Sequence, residues 1–508
     1  MGPTFWGWMF RQPFYRLTLG GRVPDGLRHT PAELWPGDPV RGRDILEGGA
    51  PAADHSFDWL ADLKAAGRPG AADAARRLVA EWIARNERWR ADAWRPDVIG
   101  ERLANWFRCY DFLTTGADGD FQVRFLTAVV RQAVHLARVA GRDQGGRCRV
   151  LAIKGLILAG LTVPGFEERM EQAFRLLETE LAAQVLADGG HASRSPSGQL
   201  AVLGDLVEIR AALLGARWQV PDALQGAIDR MTPMLRGLRL GDGRLALFNG
   251  SWEETEDRID RVLVEAGGRG RPMSNAPHSG FQRLAAGKTV IVADVGPPNF
   301  IGDYPAHAGT LGFEMSAGKK RIVVNCGNPP DIDPTWRELL RATAAHSTLT
   351  VNDVHSSDLE PGGGLGKRRA RVIRVNRRED NGHVLVEAAH DGYLEPFGLI
   401  HDRRFYLDPE GGDFRGEDRL SGPGGPNVAV RFHLHPDVQV SLIRGGEAAL
   451  VRPAGGKGWR FRGQGGRLAV DDSVYFGSGP RRRSQQLVLA GEHAGGDTLV
   501  KWRFSLET

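Results

Sequence analysis

From Ala71 to about Leu238, apolar residues recur at steps of three and four, the period of helices that bury one face. The clearest stripe is Phe166, Met170, Phe174, Leu177 and Leu181, and Leu200, Leu203, Val207, Ala211 and Leu214 repeat it. Shorter stripes run around Leu78 and Trp82, around Leu103 and Trp106, and through Phe125, Val129 and Ala133. Gly- or Pro-containing turns separate them without strand-like alternation, so the region predicts an all-α array. Beyond Gly267 the period becomes two. Val290 and Val292, then Leu349 and Val351, then Val500, Trp502, Phe504 and Leu506 alternate with polar neighbours between Gly-rich turns, which predicts an antiparallel sandwich. The stretch from Gly267 to Pro277, GGRGRPMSNAP, reads as the linker. Upstream, Pro, Gly and Arg with Trp6, Trp8 and Trp35 predict an irregular arm. The expected organisation is multidomain α + β: an arm over 1–53, a helical domain over 54–266 and a β-sandwich over 275–508.

Composition narrows this picture without redirecting it. A chain of 508 residues exceeds what one core organises, so two or three domains are expected. Its 41% hydrophobic and 25% charged residues are those of a soluble globular protein. The net charge of +4 neither demands nor excludes an anionic partner, because clustering outweighs the sum. Cys109, Cys148 and Cys326 are too few and too dispersed for a disulfide framework or a Cys-based zinc module. The N-terminus lacks a basic segment followed by an apolar run and a small-residue cleavage site, and no run is long enough to span a bilayer. A cytoplasmic protein is the direct reading, and a periplasmic one would need a leader.

Candidate chemistry concentrates between Gly302 and Asp353. Predicted strands Thr310 to Met315 and Arg321 to Asn325 are joined by a Ser-Ala-Gly-Lys turn, and a third runs from Ser347 to Asn352. His307 and His346 stand where loop becomes strand and Asn325 closes the middle strand, so the three can converge on one point. Each can equally satisfy backbone groups at a strand end. The turn ADGGHASRSPSGQL holds His191 and Arg194 between two helices, with Ser195 and Pro196 as a helix start. Asn249 ends the apolar run Leu245 to Phe248, and His278 opens the sandwich. His433 and His435 share a strand face with metal-like spacing, although a packed face explains them as well; His390 and His401 are similarly open.

The stretch from Gly302 to Asp353 resembles the heparinase II/III family of polysaccharide lyases, in which a His-x-His-x-Asp run, an Asp-x-Gly run and a His-Asn/Ser-Thr run follow one another. His307 matches the second histidine, Asn325 the aspartate of the second run and His346 the last histidine. Pro305 stands in place of the first, catalytic histidine and Gly309 in place of the first aspartate. His191 matches the family's histidine in a helix connection, where Gly190 replaces an asparagine, and Phe248 and Asn249 stand near the family's catalytic tyrosine. The resemblance implies an incomplete α/α toroid followed by an antiparallel β-sandwich. Because His191 and Asn249 come from helix connections while His307 and His346 come from predicted sheet, the site is expected in the cleft between the domains. The resemblance also implies a zinc site of His307, Asn325 and His346, which a neutral amide ligand would leave weak or empty.

Such a lyase removes a proton beside a sugar carboxylate, so donors must neutralise that carboxylate while a base and an acid complete the β-elimination. Arg194, Asn249 and His278 are the expected substrate-binding residues, His191 serving the same neutralisation, and His191, Tyr304, His307 and His346 are the expected catalytic set. No cofactor is required, and any zinc would be weakly held. The expected partner is an acidic polysaccharide or oligosaccharide, not nucleic acid, and a homo-oligomer is compatible with the sequence. Two alternatives stand beside the lyase. One is a glycoside hydrolase, for which Glu253, Glu254, Glu256 and Asp257 offer only a solvated-looking acidic cluster; the other is a carbohydrate-binding or scaffold protein whose lyase residues have decayed.

Overall fold

The stripe through Phe125, Val129 and Ala133 lies on the helix Gly119–Val139, which buries these side chains with Phe121 and Leu136. Asp118 starts that helix by accepting the Phe121 N–H, one of the donors a helix leaves unpaired at its first turn. A computed structural model describes residues 10–49, 55–142, 145–267, 269–301 and 304–507. Among them, helices dominate up to Glu265 and strands follow from Asn275. No helix among the described residues is long and apolar enough to cross a membrane.

Differences from the periodicity reading are local. The stripe beginning at Phe166 becomes helical only at Met170, after a 3-10 turn over Glu167–Arg169. Leu214 ends its stripe exposed. The described part of the expected irregular arm contains a 3-10 helix, Pro13–Leu19, and an α-helix, Pro39–Leu46, capped by Asp38. Trp6, Trp8, the arm boundary at 53 and the opening Gly302 of the motif stretch lie outside the described residues.

Two compact units emerge: residues up to 183 with 204–228, and 184–203 with 229–508. The change from helix to strand at 267–277 is therefore not the change of unit, because the turn around His191 and the helix Glu256–Glu265 belong with the sheets. The first unit is helical. Within it Lys154 is buried among Glu101, Asp205 and Glu208, each at 2.8 to 2.9 Å, and Arg108 pairs with Glu208. The helix Pro196–Gly215 is buried from Ser197 to Ile209 apart from Ala201, so its polar residues need such partners.

The second unit contains two antiparallel sheets. The nine-stranded sheet runs in space from Asn275–Ala276 through Phe281–Ala286, Thr289–Asp294, Phe313–Ala317, Lys320–Val324, Asn427–Leu434 and Arg482–Glu492 to Arg467–Tyr475, with Leu349–Val351 paired beside Asn427–Leu434. The eight-stranded sheet runs Val438–Ile443, Ala448–Pro453, Trp459–Gln464, Gly496–Leu506, Asp413–Gly422, Leu399–Leu407, His383–Tyr393, Val372–Asp380. Ile291, Phe313, Ile322, Phe405, Phe432 and Trp502 belong to one continuous core between the sheets. Strand bounds in the motif stretch are shifted from those expected, to Phe313–Ala317, Lys320–Val324 and Leu349–Val351: Leu311 has φ +64, which keeps Thr310 to Gly312 out of the first strand, and Asn352 and Asp353, at φ +48 and +55, end the third.

Candidate functional site

The expected site residues all lie in the second unit and, His278 apart, fall into two buried clusters joined by the segment Tyr304 to His307. The first is built on the turn before Pro196–Gly215. Ser195 caps that helix through Gly198 N–H and meets Ser251, which receives the Ser197 N–H. The cap holds the turn, and Asp188 ties it to the first strands by accepting the N–H groups of Gly190, His278 and Ser279. His278 contributes that backbone contact while its side chain is exposed.

His191 is 2% exposed and both ring nitrogens have partners at 2.7 Å, Gln184 at Nε2 and Ser193 at Nδ1. The Gln184 carbonyl oxygen only accepts, so Nε2 carries the proton and Nδ1 accepts from Ser193. The Tyr304 ring meets the His191 ring edge-on at 6.2 Å. Arg194, at φ +59, turns its guanidinium onto Asp294, the Ser279 carbonyl and the Pro297 carbonyl, over the Phe281 ring. Asn249 donates to the Arg194 carbonyl at 3.0 Å and to Asp294 at 3.3 Å. Asp294 is thus held by Arg194, Asn249 and the Gly296 N–H, while burial pushes its carboxyl pKa up against these partners. Arg194 and Asn249, two of the residues expected to meet a substrate carboxylate, are engaged by a carboxylate of the chain itself.

The second cluster is a hydrogen-bonded row. Asn328 Nδ2 donates to the Arg337 carbonyl and to His307 Nε2, at 3.1 and 3.2 Å. His307 Nδ1 therefore carries the proton and donates to His346 Nε2 at 3.0 Å, and His346 Nδ1 donates to the Ala342 carbonyl at 2.7 Å. Both imidazoles are neutral, burial holding His346 down to about 4 and His307 well below its ordinary value. Asn325 accepts the Ser347 N–H at its oxygen and leaves its Nδ2, a donor, buried without a partner.

This set does not fit zinc. A metal needs lone pairs from His307, Asn325 and His346, whereas His307 Nδ1 presents a proton, His346 Nε2 is taken by it, and Asn325 offers an N–H. No group of three His, Cys, Asp or Glu arranged for a metal occurs among the described residues. His433 and His435 also diverge: His433 is bonded to Ser473 and the Ala344 carbonyl, and His435 lies beyond the strand end facing Glu253 at 3.8 Å.

Three departures from the family motif are matched by packing. A Cβ at Gly190 would stand 2.3 Å from the Ser279 Cβ, and one at Gly309 would stand 2.5 Å from His346 Cδ2, so neither the family's asparagine nor its aspartate fits. Pro305 presses on Gly250, where a Cβ would lie 2.7 Å from its ring. Sequence reasoning missed Asp294, Gln184 and Asn328. Asp294 alone carried a signal, an acidic residue closing the apolar strand TVIVAD. It also misjudged Glu253 and Glu254, which are buried rather than solvated, Glu253 being held ionised against its burial by His435, Arg321, Tyr475 and Arg244.

Comparisons with known proteins agree on the architecture. The model of the heparinase II/III N-terminus matches residues 75–267, and that of the heparinase II/III-like C-terminal domain matches 268–503. A heparinase III structure, the BT4657 gene product, superposes with a TM-score of 0.73 over 94% of this chain and 85% of its own at 15% identity. A heparan sulfate lyase HepC from Pedobacter heparinus does so with 0.64 over 97% and 87% at 18% identity. FtsZ-localized protein C of Caulobacter vibrioides (strain NA1000 / CB15N) is 32% identical over 94% of this chain and 90% of its own length. The fold is that of heparinase III, an α/α toroid followed by a β-sandwich. With both family domains in order along one chain, this protein belongs to the heparinase II/III family.

Proposed function

We propose that this chain uses the polysaccharide-lyase fold for binding and scaffolding, and does not cleave acidic polysaccharides by elimination. One observation carries the reading: Arg194 and Asn249 are engaged by Asp294. Elimination needs free donors facing the uronate, because the proton to be removed is scarcely acidic while the neighbouring carboxylate keeps its charge. A base is missing too. Phe248 and Asn249 stand where the family's tyrosine is expected, Pro305 replaces the first histidine, and His191 already has a partner at each nitrogen. The 32% identical relative is named for its localisation with FtsZ rather than for an activity, and the same location is proposed here.

The chemistry of the family offers a second reading, β-elimination of a uronic-acid polymer, favoured by the edge contact between Tyr304 and His191. Tyr304 would then protonate the leaving oxygen. A screen of uronic-acid polymers for the ultraviolet-absorbing unsaturated product decides between them, with His191→Ala and His346→Ala beside the parent. No product from any polymer is expected. Product from the parent that falls at least a hundredfold in either variant, about 3 kcal/mol of barrier, would establish the lyase instead. In cells, a fluorescent fusion of the chain is expected to coincide with FtsZ.

A further inference from the structure

The strands of the eight-stranded sheet alternate between an inner face, with Phe414, Phe461, Trp502 and Phe504 in the core, and an outer face rich in arginine. Register places Arg415, Arg503 and Arg462 directly opposite one another on three neighbouring strands. Tyr406 extends this row on the next strand, with the Arg415 guanidinium 5.5 Å from its ring. Like charges opposite one another in a sheet are destabilising, and Asp413 offsets only part of this row by pairing with Arg415 and Arg503. Lys501 lies two residues from Arg503 and faces Glu417 at 3.7 Å. From the flanking turns and strand Arg444 and Arg467 complete a concave groove of about 980 Å³. The side chains of Arg444, Arg462 and Arg467 have no hydrogen bond or ion pair among the described residues.

We propose that this groove is a binding site for an acidic oligosaccharide, separate from the buried histidine clusters, none of whose residues line it. Guanidinium forks match carboxylate and sulfate oxygens two at a time, and six of the seven cations in the groove are arginines. The row from Arg415 to Arg462 spans two interstrand intervals, about 9.6 Å, on the order of one disaccharide repeat. Tyr406 closes the end of the row, its ring packed against the Arg415 guanidinium and the His383 ring and its hydroxyl bonded to His383. Other polyanions fit less well. A single-stranded nucleic acid needs successive aromatic platforms, and Tyr406 is the one aromatic side chain on the outer face of the groove lining. An acidic peptide that adds a strand needs a free sheet edge, and this row lies on interior strands.

The test uses the full chain and fluorescent heparin oligosaccharides, with polygalacturonate oligomers, poly(dT) and polyglutamate as comparison ligands. The parent is expected to bind heparin oligosaccharides more tightly than poly(dT) or polyglutamate, with affinity falling as salt screens the groove. Arg462→Glu with Arg467→Glu is expected to weaken that binding at least tenfold with an unchanged melting temperature; should this pair disturb folding, Arg462→Gln is expected to weaken it about threefold. Binding unaltered by these substitutions, or tighter binding of poly(dT) or polyglutamate that the substitutions remove, would overturn the proposal. The measurement reads affinity only, so its failure leaves the reading of the histidine clusters standing, and detection of an unsaturated product would leave this groove standing.

Discussion

Asp294 occupies the donors that a uronate lyase would turn toward its substrate, and that makes it the side chain whose removal says most. Replacing it by alanine leaves the Arg194 guanidinium, 4% exposed, buried beside two carbonyls without a counter-charge. Breaking a buried pair in this way costs about 3 to 5 kcal/mol. Asp294→Ala is therefore expected to lower stability by that amount in urea unfolding, and a loss below about 0.5 kcal/mol would mean that Arg194 finds other partners. Gly309 makes the complementary point. Gly309→Asp restores the family's residue but sets a Cβ 2.5 Å from His346, so the expected outcome is a loss of about 1 to 3 kcal/mol and no zinc uptake by calorimetry.

Among the helices, the same physics appears in the first unit. The helix Arg147–Thr162 carries Lys154, 1% exposed, against Asp205 and Glu208 of Pro196–Gly215 and Glu101 of Pro96–Arg108. One ammonium among three carboxylates holds adjacent helices in register, and the carboxylates draw its pKa up despite burial. Lys154→Met keeps the length of the side chain and removes the charge. It is expected to destabilise by about 3 to 5 kcal/mol because buried carboxylates are left to repel one another, and a thermal melt unchanged from the parent would contradict this.

Taken together, the buried imidazoles give the folded chain an acid limit. His135, His307, His346, His390, His401 and His433 are all held below their ordinary pKa, burial being the first cause in each. A histidine depressed on folding stays neutral in the native state while the unfolded chain takes up protons below about 6.5, so the stability it contributes is present above that pH and lost as pH falls toward the folded value. For His346, held at about 4 from an ordinary 6.5, the loss at pH 5 is about 2 kcal/mol. Glu314 acts oppositely. Burial raises its carboxyl to about 7, so its contribution is present below the unfolded carboxyl range and fades as pH rises through 7. Six imidazoles outweigh one carboxyl, and the urea midpoint is expected to fall between pH 7.5 and pH 5. A midpoint that rises over that interval would mean that some of these rings take up protons without unfolding.

Periodicity of three and four, then two, was enough to place helices before strands, because burial of one face leaves a local mark on the sequence. Ser195 and Pro196 announced a helix start that the structure contains, since a cap is made within one turn. The histidines His191, His307 and His346 could be picked out as residue types at loop ends, and two of them do meet. Their tautomers could not, because these depend on Gln184, Asn328 and the Ala342 carbonyl, whose orientation is a property of the folded chain. Arg194 and Asp294 are one hundred residues apart, and no local pattern couples them. The basic groove is likewise a matter of register, since Arg415, Arg462 and Arg503 become neighbours only when three strands pair. Short-range burial and capping are written along the chain; whether a polar side chain faces a ligand or another part of the protein is settled by long-range contacts, where the desolvation of one charge selects its partner.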